Sequence, residues 1–234
     1  MIVFVGWDVG AWNCDRNASS RDALVVLDEE GRKIGQPWRG NLRQTINEAT
    51  DGTDFAARLL ALCGLTRADH VIVAIDAAMG FPVAFTQLIN GGAPVGDIGV
   101  SARNPYLRRR TELSLLAEGI RPLSPVQDMI GAQATKAMHV AARFAQRTGT
   151  GVWSDGVGLT LIETYPALCR LRSPGSFNTL TKEMTSLEQD ILDAEVCAWV
   201  AKAFFLCPDA LEPPTPDTPV NEGWIWAPKK GAKL

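Results

Sequence analysis

The sequence is poor in residues that carry several common protein chemistries. It has only 2 histidines, and its 5 cysteines are an odd number, widely spaced and without a CxxC pair. This pattern favours reduced thiols over a disulfide framework or structural zinc. His70 and His139 have no neighbour in sequence that would suggest a nucleophilic or zinc site, so both are predicted to be structural.

Long apolar runs and an excess of positive charge are also absent. No run approaches the roughly 20 residues that a membrane-spanning helix needs, and the first residues show no basic leader for export. The 23 Lys+Arg against 26 Asp+Glu give a net charge of −3. Any contact with nucleic acid must therefore use a local patch or metal ions. The composition predicts a globular, cytoplasmic protein with no membrane partner.

The order of the predicted elements indicates one α/β domain over residues 1–234. Strands are predicted at 2–5, 23–27, 33–38, 71–76 and 158–163, with a late edge strand at 223–226. Helices are predicted at 53–62, 108–118, 128–147 and 186–205. A glycine-rich loop runs from Gly91 to about Pro105, and a Pro-rich segment covers 208–220. The first three strands form an antiparallel meander, after which strands alternate with helices.

Three of the predicted strands run into an acidic residue, namely Asp8, Asp76 and Glu163. If these strands are parallel neighbours, their carboxyl ends share the edge at which open α/β sheets bind ligands. A strand spacing of about 4.8 Å then places the three carboxylates roughly 5–10 Å apart. Each acid alone has a simpler explanation, because turns and helix N-caps also favour acidic residues.

The last predicted helix adds Asp190 and Asp193, which lie three residues apart and so share one helix face. That face continues into small and apolar residues and is the buried face of the helix. Two like charges there require a cation or a shared proton. The alternative is that both aspartates open the helix, where acids complement the N-terminal dipole.

Together these five acids predict a site built from hard oxygen ligands for Mg²⁺ or Mn²⁺. Two such ions about 3.5–4 Å apart can activate water and stabilise the leaving oxygen in phosphodiester cleavage. The predicted catalytic residues are Asp8, Asp76, Glu163, Asp190 and Asp193, and all except Glu163 are predicted metal ligands. Whether Glu163 binds metal or supports a ligand stays open.

The pattern resembles the ribonuclease H fold, with a three-stranded meander, parallel strands with helices, and acids on the first strand, the fourth strand and a final helix. Asp190 to Ala194 resembles the DxxDA segment of Holliday-junction resolvases. The chain is most similar to the domain-of-unknown-function family numbered 429, described as predicted nucleases. The matching pieces are Gly6-Trp7-Asp8, Ala74-Ile75-Asp76-Ala77 with Gly80 and Pro82, Arg109-Arg110-Thr111-Glu112, Glu163-Thr164-Tyr165-Pro166-Ala167, Asp190 to Ala198, and Glu222-Gly223-Trp224-Ile225. The resemblance implies a ribonuclease H-like mixed sheet with helices on both faces and a nuclease activity.

Arginines are concentrated in one stretch, between Arg103 and Arg121. Arg109, Arg110 and Glu112 are the predicted substrate-binding residues, since arginine holds phosphate oxygens in two-pronged contacts. The alternative is an exposed helix start at which Arg109 and Glu112 pair locally. The glycine loop that follows Gly91 is either a lid over substrate or an ordinary flexible loop.

The leading functional hypothesis is a metal-dependent nuclease whose partner is nucleic acid. A non-catalytic module that binds a protein or nucleic acid is the main alternative. An ATP-dependent phosphotransferase is a third hypothesis, because Asp8-Val9-Gly10 resembles the Asp-x-Gly turn of actin-like kinases. The choice between DNA and RNA, the mode of cleavage and the oligomeric state stay open.

Overall fold

The computed structural model describes residues 1–12, 16–17, 20–177, 180–181 and 183–234. Its strands are β1 (Ile2–Asp8), β2 (Asp22–Leu27), β3 (Trp38–Gly40), β4 (His70–Asp76), β5 (Gln146–Gly149), β6 (Val152–Ser154) and β7 (Leu159–Glu163). Its α-helices are α1 (Arg43–Glu48), α2 (Gly52–Leu62), α3 (Val83–Gly91), α4 (Arg110–Ala117), α5 (Gly131–Phe144), α6 (Pro166–Arg172) and α7 (Ser186–Leu206). Cys14 lies outside the described residues, and the four described cysteines form no disulfide.

The strands form one mixed sheet in the order β3-β2-β1-β4-β7-β6-β5. β1 pairs antiparallel with β2, and β2 with β3, whereas β1, β4 and β7 run parallel to one another. In this register Asp8 lies opposite Asp76, and Ile75 lies opposite Glu163. The α/β class and the mixed sheet are therefore confirmed, and the three acidic strand ends share one edge.

The interiors of the parallel strands are mostly apolar because both faces of the sheet are covered. Val3, Val5 and Trp7 of β1 pack on one face against residues of α1, α2 and α5. Phe4 and its neighbours on β4 pack on the other face, mainly against α7. Since side chains alternate along a strand, the acids at the ends of β1 and β4 continue the face that α7 covers.

Gly6 lets α7 approach β1 closely. A Cβ atom at this position would lie 1.7 Å from the carbonyl oxygen of Ala194 and 2.4 Å from the backbone nitrogen of Ala198. The helix presents small residues here, because Ala194, Cys197, Ala198 and Ala201 are all buried against the sheet. This contact of backbone on backbone places the acidic face of α7 beside the end of β1.

Several predicted elements differ from the structure. The prediction of a strand at 33–38 is wrong, because Lys33 makes only an isolated bridge and β3 begins at Trp38. The helix at 128–147 is shorter, because Ala145 is extended and Gln146 begins the β5–β6 hairpin. The late edge strand is reduced to a parallel bridge between Ile225 and Glu163. The sequence analysis also missed α1, α3 and α6, which are short and lack a long apolar repeat.

Within the described part of the chain, none of the helices has both the length and the apolar character that crossing a bilayer requires.

Candidate functional site

An open pocket of about 200 Å³ lies at the carboxyl ends of β1, β4 and β7. Asp8, Asp76 and Glu163 all line it, so the structure brings the three strand-end acids together. The wall also contains Tyr165 and Gln133. The side-chain oxygen of Gln133 is buried and has no hydrogen-bond partner among the described residues. The pocket therefore offers oxygen acceptors that the protein leaves partly unsatisfied.

Asp8 and Asp76 form the centre of this arrangement. They are direct neighbours in the register of β1 and β4, where adjacent strands lie about 4.8 Å apart. Both side chains are partly buried, and within the described ranges neither accepts a hydrogen bond nor pairs with a cation. Two adjacent carboxylates without partners are unfavourable unless a proton or a cation joins them.

The two helix acids approach from α7 on the same side of the sheet. Arg39 Nε on β3 donates to Asp190 Oδ2 at 2.6 Å, and Arg170 on α6 forms an ion pair with Asp193. The N-terminus of α7 is capped instead by Thr185, in a reciprocal pair with Glu188. The aspartates therefore lie beyond the helix start, and the explanation that they open the helix is wrong.

The electrostatics of the strand-end aspartates depend on the acids around them. Burial and then repulsion from Asp76, Asp193 and Asp190 raise the pKa of Asp8 well above its usual value. Burial, followed by repulsion from Asp193 and Glu163, also raises the pKa of Asp76 well above its usual value, although the nearby charge of Arg170 acts in the opposite direction. Burial also raises the pKa of Asp190 and Asp193 despite their arginine partners. The cluster holds more negative charge than its surroundings compensate.

No group of three or more His, Cys, Asp or Glu side chains among the described residues is placed so that it could hold a metal ion. The orientation of the helix acids is consistent with this, since Asp190 and Asp193 are engaged by arginines. Chemically the donor set suits a hard divalent cation, because carboxylate oxygens are the ligands that Mg²⁺ and Mn²⁺ prefer. Metal binding would therefore require these side chains to turn toward Asp8 and Asp76.

Glu163 has a different environment from the four aspartates. Its two carboxylate oxygens accept hydrogen bonds from Arg109 at 2.6 and 2.8 Å, and one also accepts the N–H of Met79 at 2.8 Å. Arg109 further donates to Glu112 at 2.7 Å and to the carbonyl of Glu222 at 2.9 Å. This buried network joins β7 to the start of α4 and to the C-terminal segment, so it fixes one wall of the pocket.

The predicted substrate-binding residues divide accordingly. Arg109 and Glu112 are fully buried, so the alternative of an exposed helix start is wrong, although their predicted local pair is present. The network gives both residues internal partners, and Arg109 also lines the pocket, so their predicted contact with substrate stays a prediction. Arg110 is accessible, with a side chain 39% exposed and an ion pair to Asp217 at 2.8 Å.

Comparisons with known proteins do not identify a function for the chain. No family model, curated protein or solved structure matches the chain. The unpartnered pair of strand-end aspartates, with two further aspartates on α7, is therefore the observation from which function must be argued.

The sequence analysis missed a buried ion pair beside the first acid. Lys136 is completely buried on α5, and its Nζ lies 2.7 Å from Asp22 Oδ2 and 2.8 Å from the carbonyl oxygen of Gly10. Asp22 in turn accepts the N–H of Gly10 at 3.0 Å. Both backbone groups of Gly10 are thus held, which fixes the turn that follows Asp8. The available signal was a lysine on the apolar face of α5, four residues before Val140.

Proposed function

We propose that the protein is a metal-dependent nuclease that hydrolyses phosphodiester bonds of nucleic acid. The observation that carries the proposal is the pair Asp8 and Asp76, which lines the pocket without a hydrogen-bond or ion-pair partner among the described residues. Two further aspartates on α7 lie outside the pocket lining but near enough to repel Asp8. Phosphate groups would otherwise be repelled by this cluster, so a divalent cation explains both the acids and an anionic substrate.

The topology supports a ribonuclease H-like interpretation of the fold, as in the family numbered 429. An antiparallel meander is followed by the parallel strands β4 and β7. The acids lie on the first strand, the fourth strand and the last long helix, which is the placement that the resemblance implies.

Mg²⁺ or Mn²⁺ would be held by Asp8 and Asp76, joined by Asp193 and Asp190 once these release their arginines. The bound metal would activate water and stabilise the leaving oxygen. The protein itself contributes two supports. The Arg109–Glu163 pair holds the ends of β7 and α4, and Lys136 with Asp22 fixes the turn after Asp8.

A non-catalytic binding module is the second candidate, because the described carboxylates do not yet surround a common metal position. In that case the nucleic-acid or protein partner would bind without being cleaved. Metal binding and cleavage distinguish the two candidates.

The test is incubation of the protein with single-stranded, duplex and branched DNA and RNA, with Mg²⁺ or Mn²⁺ and with a chelator. We expect cleavage that requires metal, that is lost in Asp8→Asn and Asp76→Asn, and that is unchanged in Asp209→Asn, an exposed acid remote from the pocket lining. Cleavage that survives both pocket substitutions would reveal a contaminant. Failure to cleave any substrate or to bind Mn²⁺ would favour the binding module.

A further inference from the structure

The pocket at the strand ends has an apolar wall as well as an acidic edge. Pro122, Leu123, Ile130 and Gln133 line this wall, and they come from the segment that joins α4 to α5 and from the first turn of α5. Tyr165, which follows β7, adds an aromatic ring to the lining. Leu123 is 49% exposed although it is apolar, so the wall is open to a ligand.

Hydrogen bonds fix the wall around Leu123. The backbone N–H of Ser124 donates to the carboxylate of Asp128 at 2.7 Å. On the other side, Arg108 donates to the carbonyl oxygen of Pro122 at 3.1 Å. The exposed side chain of Leu123 therefore lies between two anchored residues, and a ligand meets a preformed surface that costs little entropy to order.

Gln133 gives the wall one polar group that needs a partner. Its Oε1 is buried, and within the described ranges no N–H or O–H group donates to it. A buried acceptor without a donor is unfavourable, so a ligand that supplies a donor gains affinity there. Phosphodiester groups carry acceptors only, so in nucleic acid the donor must come from a base or from a ribose hydroxyl. The apolar wall favours a base, because bases bind by their flat faces as well as by their edges.

The size of the pocket agrees with a single base. Its volume is about 200 Å³, whereas sites for drug-sized ligands have roughly 300–1,000 Å³. One ring system is therefore a better match than a whole nucleotide with its sugar and phosphate.

We propose that the apolar wall is a nucleobase subsite, in which an unpaired base packs on Leu123 and Ile130 and donates its exocyclic amino group to Gln133 Oε1. The proposed nuclease function supplies the identity of the ligand, and the subsite itself needs no bound metal. Cytosine, adenine and guanine carry such an amino group, whereas uracil and thymine do not. A base reaches a pocket only when it is out of the duplex stack. The inference therefore names single-stranded or branched nucleic acid as the substrate class.

The first measurement is binding of deoxycytidine and of deoxyuridine to the full chain in EDTA, by NMR titration. These neutral nucleosides need neither metal nor a phosphate contact. They differ at one edge of the ring, where cytosine has an amino group and uracil has a carbonyl oxygen. We expect deoxycytidine to bind at millimolar concentration and about three- to tenfold more tightly than deoxyuridine, as for one hydrogen bond.

The second measurement repeats the titrations with variants. Gln133→Leu should lose the preference for deoxycytidine, and its melting temperature should not fall, because Oε1 has no donor to lose. A glutamine with a structural role would instead lower the melting temperature. Leu123→Ala should weaken binding of both nucleosides about threefold and keep the preference. Gln44→Leu is the matched control, since Gln44 is exposed on α1 and does not line the pocket, so both affinities should equal those of the wild type.

The outcomes separate this inference from the proposed function. If the nucleosides bind as expected but no nucleic acid is cleaved, the base subsite is supported and the nuclease function fails. If nucleic acid is cleaved but neither nucleoside binds at millimolar concentration, or both bind equally, this inference alone is overturned. A preference that survives in Gln133→Leu overturns it as well. Gln133→Met provides the same comparison if Gln133→Leu does not fold.

Discussion

Substitution of Gly6 by alanine should disrupt the contact that brings the acids of α7 to the end of β1. The added Cβ would lie 1.7 Å from Ala194 O and 2.4 Å from Ala198 N, whereas ordinary contacts begin near 3.4 Å. Both obstructing atoms belong to the backbone of α7, so no side-chain rotation relieves the overlap. The helix and strand must separate by roughly 1.5 Å or more along this contact.

The expected cost follows from that displacement. Overpacking of a buried site lowers the free energy of unfolding by about 1–3 kcal/mol when side chains can adjust. Because the obstruction here is backbone, which cannot rotate away, we expect a loss of about 3 kcal/mol or more. A loss of about 3 kcal/mol lowers the melting temperature by about 6–12 °C in a chain of this size. Because the same shift moves Asp193 away from Asp8, Mn²⁺ affinity should also fall.

Thermal unfolding by circular dichroism, with and without Mn²⁺, measures both effects. Gly91→Ala is the matched control, because a Cβ there meets nothing within 4 Å at the end of α3. It should change stability by less than about 1 kcal/mol. A Gly6→Ala protein that melts within 2 °C of the wild type would refute the close packing of α7 on β1.

Three further predictions concern buried charge. Arg109→Met leaves the buried carboxylates of Glu112 and Glu163 without their cation, so the free energy of unfolding in urea should fall by about 3–5 kcal/mol. A loss below about 1 kcal/mol would contradict the network. Lys136→Met leaves the buried charge of Asp22 without its lysine and should cost a similar amount. Addition of Asp22→Asn, which removes the charge and keeps an oxygen acceptor for Trp7, Gly10 and Leu42, should recover part of the loss; no recovery would argue against an ion-pair origin. Without metal, the raised pKa of Asp8 means that the folded state holds its proton more tightly than the unfolded chain, so stability is lost as pH rises from about 4 toward that pKa. The melting temperature of Asp8→Asn should therefore rise relative to that of the wild type as the pH increases from 4 to 8. A difference in melting temperature that stays constant over that range would contradict the raised pKa of Asp8.

The strands that form the site could be predicted because their burial on both faces leaves a local pattern. β1, β4 and β7 are apolar runs that end in an acid, and the buried face of α7 repeats at helical spacing. β3, β5 and β6 are short and partly polar, so neither length nor alternation distinguishes them from turns.

The partners of the acids could not be predicted in the same way. Arg39 lies 151 residues from Asp190, and Lys136 lies 114 residues from Asp22. Such ion pairs arise from the crossing of distant elements and leave no periodic signal in the chain. Arg109 was noticed as part of a basic stretch, but its burial depends on β7 and the C-terminal segment, which only the tertiary structure brings to it.

The most direct test of the central claim is a crystal structure of the protein grown in Mn²⁺, with the ion located by its anomalous scattering. The account predicts a peak about 2.1 Å from carboxylate oxygens of both Asp8 and Asp76, with Asp193 turned away from Arg170 toward the ion. A structure at saturating Mn²⁺ with no peak at this edge, and with both helix aspartates still bound to their arginines, would contradict it.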